Sequence, residues 1–593
     1  MQNKNMTPSE EKAWRKYYPE EALDFDFPRM KTYDLVYETN RNRKDSIALE
    51  YGDAQVRYGD FFDKVDERTE FYKSLGIKPD DCLVMSMLMS PEFIYDWYAL
   101  GRLNAITNLI DPRISVEGIK KTIEQSNARY IINTNCFLPA ILKAIDKDQD
   151  KEVLNYSLFN TSKDLPLDLK AIGTFGNVYG KVIENFDPRV HNMANMPKLD
   201  SIETIPLYVP NQGLTVVNTG GTTGSSKGVL LSHDNYNAGV YQYIISDIGF
   251  APDDAFLLVM PPWISYGSGM LHLCMVRGMK SIIIPKLNSK KFDKYVIDYK
   301  PQWFAGVPAH YKKLAESKLV QKEGLEGLKA GAVGGDAVPA ELFKLANKVM
   351  LDSGASQGMY PGYAFTEVSS VLCVRQKGDF KPGSVGIPLP GVTVGIFKYD
   401  EENEITLDEE EGYNIQGEIC VQTPTQMLGY FNNNEETKKV IRTHKDGTCW
   451  IHSGDLGYLD EDGFLFVTGR IKEMIARHDG FKIYPHTIEE IISTHEAVDS
   501  CKVVGINDII NKNGQIPKAY IVLKPDYTEK KSKVYKELKA MCNVLAKYYT
   551  EYLSFEIIDK FPRTAIGKVD FRKLQELGNS QSQRGKSRIR KAE

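Results

Sequence analysis

The chain has 593 residues, more than one hydrophobic core ordinarily supports, so at least two domains are expected. Its 42% hydrophobic and 26% charged residues, with a net charge of -5, are ordinary for a globular protein and give no electrostatic case for nucleic acid as the main partner. Eight cysteines stand apart without C-x-x-C pairs, which argues against a disulfide framework and a zinc site.

The N-terminus lacks the apolar h-region of a signal peptide, and no window reaches about 18 uninterrupted apolar residues. A cytoplasmic protein without a transmembrane segment is the expectation. After an N-terminal extension over 1–30, helical periodicity alternates with short strands: Ser46 to Tyr51, a helix from Phe61 to Leu75, then Cys82 to Met87, a helix from Pro91, Ala105 to Ile110, and Tyr130 to Asn133. Such alternation means a largely parallel sheet covered by helices. Residues 137–205 are polar and weakly periodic. The alternation resumes with strands at Phe256, Ser281, Trp303 and Ala330. From Gly383 to Val467 short strands and turns predict a β-rich subdomain, with Tyr399 to Glu411 as a solvated hairpin tip. A compact unit of helix, two strands and a Lys-rich helix follows to about Leu574, and the polar basic segment 576–593 is expected to be disordered. The fold class is therefore α/β, with a large N-terminal domain over 31–470 and a small α+β domain over 471–575.

Between the apolar run Leu214 to Val217 and Gly228-Val-Leu-Leu-Ser-His lies Thr219-Gly220-Gly221-Thr222-Thr223-Gly224-Ser225-Ser226-Lys227-Gly228. This reads as a strand, a Gly-rich loop, and the start of a helix near Ser232. Glycines let successive N–H groups point at one anion, hydroxyls add donors, and Lys227 adds charge, so the loop is a candidate cradle for a polyphosphate. It departs from G-x-x-x-x-G-K-[ST], because Ser226 precedes Lys227 and Gly228 follows, which disfavours a P-loop kinase or motor ATPase. A Gly/Ser/Thr surface turn is the bland alternative.

Further motifs follow in order: Tyr363-Ala-Phe-Thr-Glu367, Gly417-Glu-Ile-Cys-Val, Met427-Leu-Gly-Tyr-Phe, His452-Ser-Gly-Asp455, Gly469-Arg-Ile-Lys-Glu, Asp479-Gly-Phe-Lys-Ile-Tyr-Pro and Phe561-Pro-Arg-Thr-Ala-Ile-Gly-Lys568. With the Gly-rich loop they resemble the adenylate-forming superfamily of acyl-CoA synthetases, firefly luciferase and peptide-synthetase adenylation domains, over about Thr32 to Leu574. Gly220, Ser226 and Ala364 depart from the family's usual Ser, Pro and Gly.

The resemblance implies an AMP-forming carboxylate-CoA ligase: a carboxylate attacks the α-phosphorus of ATP, and the acyl-adenylate then passes to the CoA thiol. It implies Lys568 as the cation bridging carboxylate and α-phosphate, Thr366 on the α-phosphate, and Glu367 holding Mg2+. ATP would be bound by Thr219, Gly220, Gly221, Thr222, Thr223, Gly224 and Lys227, by Gly334, Gly335 and Asp336, by Tyr363 against adenine, by Asp455 on the ribose hydroxyls, and by Arg470. Lys472 occupies the hinge position, about which the mobile C-terminal domain swings to bring Gly480 and Phe481 to the thiol step. The acyl pocket is implied at Trp263, Ile264, Ser265, Gly267, Gly269, Ala305, Gly306, Gly334, Gly335 and Ala364, a small and uncharged set that suits an apolar acid, fatty or aryl. Pro262 to Gly267 holds no acid to pair an α-ammonium, which argues against an amino-acid substrate. Two alternatives stand beside this reading: an acyl-AMP ligase or adenylation enzyme that loads a carrier protein, and a non-catalytic nucleotide-binding relative.

Overall fold

The computed structural model describes residues 6–146, 148–156, 187–197, 204–219, 227–284, 287–375, 381–478, 482–508, 514–545, 553–563 and 569–589; of 543–545 and 582–589 it describes the backbone alone. Two large sheets and a β-rich sheet make up the N-terminal domain. The first large sheet has nine strands, and its parallel centre runs Met359–Tyr363, Ala330–Val333, Trp303–Gly306, Ala255–Leu258, Lys280–Ile283, Ile47–Tyr51. The second has eight, with Gly213–Asn218, Ile106–Leu109, Cys82–Ser86, Tyr130–Thr134 and Glu152–Tyr156 in parallel. These strands are nearly continuous apolar runs because both faces of a parallel sheet are covered. Helices Thr32–Asn40, Pro91–Arg102, His233–Ile245 and Ser265–Val276 pack on one another and on the sheets. Buried Trp97, Tyr98, Tyr236 and His272 fill the space between them.

The β-rich sheet is antiparallel, built on Thr393–Asp400, Ile405–Glu410, Gly417–Gln422 and Cys449–Leu459. Within the acidic stretch Tyr399 to Glu411 only 401–404 form the exposed tip of the hairpin between the first two, and Ile405–Glu410 is its second strand. One continuous core extends from Trp14 to Leu465, and a separate one begins at Ile475. The second core joins helices Pro485–Ser493 and Lys531–Leu545 to a three-stranded sheet of Val498–Asn507, Gln515–Leu523 and Ser554–Ile557.

Two expectations are refined, and one stretch left unassigned in the sequence gains elements. Between the Gly-rich loop and the helix expected near Ser232 lies a strand, Gly228–Ser232, which returns antiparallel to Gly213–Asn218; the helix does begin there, at His233, with Ser232 Oγ accepting from Asn235 N at 3.1 Å. Within 137–205, Leu138–Ala144 is helical, and Glu152–Tyr156 and Val190–Asn192 extend the eight-stranded sheet; 157–186 and 198–203 lie outside the described residues. Of the segment 576–593 expected to be disordered, 576–589 is helical, in Phe571–Ile589, and the rest lies outside the described residues. Tertiary contacts hold this helix where local pattern is weak: Leu574 is buried and its carbonyl accepts from Tyr520 Oη, while Asn579 Oδ1 accepts from Asn507 N at 2.8 Å. Among the described residues no helix is long and apolar enough to cross a membrane.

Candidate active site

Several parallel strands of the nine-stranded sheet end on one cavity of about 1430 Å3, the place where open α/β sheets offer backbone ends and loops to a ligand. Trp303–Gly306 runs into Val307, Ala330–Val333 into Gly334, Gly335 and Asp336, and Met359–Tyr363 into Ala364, Phe365 and Thr366, all of which line it. Gly335 has φ +84, so the turn there requires a glycine-type backbone. Glu489, Lys502, Arg563 and Val569 of the C-terminal unit line the opposite side. Lys312 and Asp499 form an ion pair between the two units.

Asp455 is 4% exposed and is not itself among the residues that line the cavity. Its Oδ2 accepts from the Tyr363 hydroxyl at 2.8 Å. Arg470 Nε lies 2.9 Å from Oδ1 but off the line of its N–H, which leaves that buried oxygen without an in-line donor. Burial raises the Asp455 carboxyl above the ordinary range, against the opposing pull of Arg470 and Tyr363. A buried acceptor lacking its donor is costly alone and suits a ligand hydroxyl.

The foot of the Gly-rich loop is closed by Thr219 N donating to the Lys227 carbonyl at 2.9 Å and Lys227 N to Thr219 Oγ at 3.2 Å. Gly220, Gly221, Thr222, Thr223 and Gly224 lie outside the described residues. Lys227, expected to add charge to the loop, is paired: its Nζ is 2.5 Å from Glu436 Oε2 and 4.7 Å from the centre of the Tyr430 ring. Tyr430 in turn donates to Glu367 Oε1 at 2.7 Å, so the loop's foot stands beside Thr366 and Glu367. Tyr430 and Glu436 escaped the sequence reading, although Tyr430 stands within a quoted motif.

Glu367 is half-buried, and its carboxylate is oriented by the tyrosine hydroxyl, a donor chemistry that fits a hard cation shared with phosphate oxygens. Glu367→Gln is expected to raise the Mg2+ concentration for half-maximal pyrophosphate release by about tenfold, because an amide oxygen is the weaker ligand. A Mg2+ titration superimposable on wild type removes the metal role.

Trp263, Ile264, Ser265, Gly269 and Ala364 line the cavity, together with Phe250, Phe256, Met260 and Trp303. Gly267 and Gly306 are not among the lining residues, which corrects their assignment to the acyl pocket. A Cβ on Gly267 would lie 1.9 Å from the Pro261 carbonyl oxygen, and one on Gly306 2.9 Å from His310 Nδ1, so both relieve crowding inside the fold. Among the ionisable groups of the lining that sequence reasoning missed are Arg113 and His310. Arg113 faces Trp263 at 5.5 Å but is neutralised by Asp111 through contacts of 2.8 and 2.7 Å. His310 is stacked on Phe292, and burial pushes its pKa down to about 4, so it is uncharged at neutral pH.

Arg563 and Val569, which pair in an isolated bridge and line the cavity, bracket Lys568; Lys568 itself lies outside the described residues, as do Gly480 and Phe481. Lys472 is exposed in a single 3-10 turn, Ile471–Glu473, between the last strand of the β-rich sheet and the first residues of the C-terminal core.

Parallel strands thus end on a cavity that residues of a small second unit line from across its mouth. Residues 36–431 match the model of the AMP-binding enzyme family and residues 487–568 that of the AMP-binding enzyme C-terminal domain. The chain belongs to this family, the adenylate-forming CoA ligases and their relatives. It is 27% identical over 584 residues to a long-chain-fatty-acid–CoA ligase of Bacillus subtilis, covering 95% of this chain and 98% of the relative. It is 26% identical over 570 residues to a probable 4-coumarate–CoA ligase of Dictyostelium discoideum, covering 95% and 98%. A solved anthranilate CoA ligase in complex with anthranoyl-AMP shares the fold with TM-score 0.77 at 19% identity, covering 95% of this chain and 99% of that one.

Proposed function

We propose that this protein is an AMP-forming ligase that activates an uncharged, largely apolar carboxylic acid and hands the acyl group to CoA. The observation that carries the substrate class is the cavity wall of Phe250, Phe256, Met260, Trp263, Ile264 and Trp303, in which Arg113 is neutralised and His310 uncharged. A charged far end of a substrate would lose its water there without gaining a partner. The family relatives span both fatty and aryl acids by name, which agrees with an apolar class and leaves chain length to experiment.

In the first half-reaction a carboxylate oxygen forms a bond to the α-phosphorus of ATP, and pyrophosphate leaves. In the second, the CoA sulfur bonds to the acyl carbon, and AMP leaves. Asp455 would hold the ribose by accepting from its hydroxyls, Thr366 would donate to the α-phosphate, and Lys568 would offset the charge of two anions brought together. Mg2+ bound with the nucleotide would be held from the protein side by Glu367 and would neutralise phosphate charge. Lys472 would serve as the hinge, Gly480 and Phe481 would approach for the thiol step, and a cytoplasmic site would supply ATP and CoA.

The test is kcat/KM over acetate, hexanoate, dodecanoate, benzoate and a dicarboxylate with ATP and CoA. Each buried methylene contributes about 0.8 kcal/mol, so a rise of roughly fourfold per methylene is expected along the linear series until the cavity is filled. Preference for acetate or the dicarboxylate would refute the apolar pocket.

A further inference from the structure

We propose that Glu418 is a positioning residue that sets Asp455 against the nucleotide ribose; the proposal rests on the ribose role given to Asp455 above. Glu418 lies on Gly417–Gln422, opposite Cys449–Leu459. Glu418 faces Leu456 and Cys420 faces His452, so two residue steps on one strand are matched by four on the other. The extra length is a bulge at Ser453 and Gly454, and a bulge of this kind re-aims the side chain beside it. Here that side chain is Asp455.

Glu418 replaces the missing ladder. Its Oε1 accepts from Gly454 N at 2.9 Å, the one residue of the bulge with a left-handed backbone, φ +72. Its Oε2 lies 2.8 Å from His452 Nδ1, just before the bulge. Ser453 Oγ donates to the Ile419 carbonyl at 2.6 Å and accepts from Asp455 N at 3.0 Å, which closes the bulge onto the same strand. Glu418 is 4% exposed, and although burial opposes it, contacts from His452 and Gly454 hold its carboxyl below the usual range, so it is ionised at neutral pH.

Cys420 Sγ, 3.2 Å from His452 Nδ1, brings three ligand-type atoms together, but a metal is not the reading. Arg442 Nη2 already stands 2.5 Å from that ring nitrogen and 3.9 Å from Glu418 Oε2, placing a fixed cation in the cluster. His444 Nε2 completes it, 3.1 Å from His452 Nε2. The cluster therefore braces the turn, and the turn aims the aspartate.

The readout is the ratio of kcat/KM for ATP to that for 2′-deoxy-ATP and for 3′-deoxy-ATP in pyrophosphate release, which a general loss of stability does not move. Glu418→Gln cannot keep both acceptor contacts, and the ratio is expected to fall about tenfold, the scale of one lost hydrogen bond to a charged group. His452→Gln leaves the carboxylate its Arg442 neighbour and Gly454 contact; it is expected to shift the ratio the same way by a smaller factor, and serves if the first variant fails to fold. Asp455→Asn is the control for the ribose role. If it collapses the ratio while both other variants, folded, keep the wild-type value, Glu418 is merely structural and the proposal falls alone. If Asp455→Asn leaves the ratio unchanged, the ribose role fails and the proposal with it.

Discussion

Lys568→Ala is expected to slow acyl-adenylate formation by about 10²–10³-fold while leaving thioester formation from supplied acyl-adenylate within a few-fold of wild type. The first half-reaction brings a carboxylate and a polyphosphate together, and the cation between them acts where the charge is greatest. The second joins a thiol to a carbonyl and no longer needs that cation. The described neighbours agree with such a position, since Arg563 and Val569 on either side of residues 564–568 line the cavity that Thr366 and Gly334 also line. Three other cations at the cavity are already committed: Lys502 lies 3.0 Å from Glu489, Lys312 is paired with Asp499, and Arg113 is neutralised by Asp111. Pyrophosphate release with ATP and acid measures the first step, and AMP release on adding CoA to the adenylate measures the second. Equal losses in both would show that one arrangement of the two units serves both steps.

The large architecture was legible because a parallel sheet announces itself locally. Strands such as Leu83 to Met85 and Ile131 to Ile132 are buried on both faces, so they read as apolar runs bounded by turn residues. The helix Ser265–Val276 was not legible as a helix, because it is buried nearly all round and the 3.6-residue stripe disappears when every side is apolar. Glycines were the least legible. Gly267 and Gly306 look in sequence like Gly334 and Gly335, yet the first two relieve contacts with Pro261 and His310 and the second two line the cavity. Of the motif residues, Thr366 lines the cavity, Glu367 beside it accepts from Tyr430, and Asp455 lies against Tyr363 and Arg470. Their supports were hidden because they come from elsewhere in the chain. Tyr430 reaches Glu367 across 63 residues and Glu418 reaches His452 across 34, and such pairings follow from register and bulges, which no local pattern encodes.

Lys472→Pro is expected to give the opposite split from Lys568→Ala: adenylate formation retained within a few-fold, and CoA-dependent turnover reduced by roughly tenfold or more, because rotation about this position limits the second step. Ile471–Glu473 is one 3-10 turn, and Lys472 within it is exposed, so a substitution there removes little packing. Arg470 before it is tied to Asp455 at 2.9 Å, and Glu473 after it is close enough to Arg470 and Lys502 for their charges to oppose its burial. Arg470 is thus held on the N-terminal side, Glu473 lies in the field of charges from both units, and the exposed residue between them has little packing to lose when φ and ψ change. Proline holds φ near -65° and disfavours the helical region for Ile471, which stiffens both dihedrals on that side of the turn. Single-turnover measurement of adenylate formation, followed by a CoA chase in the same sample, separates the two steps. Wild-type turnover with CoA would place the hinge elsewhere, and loss of the first step alone would mean that the turn fixes the adenylating arrangement without mediating the swing.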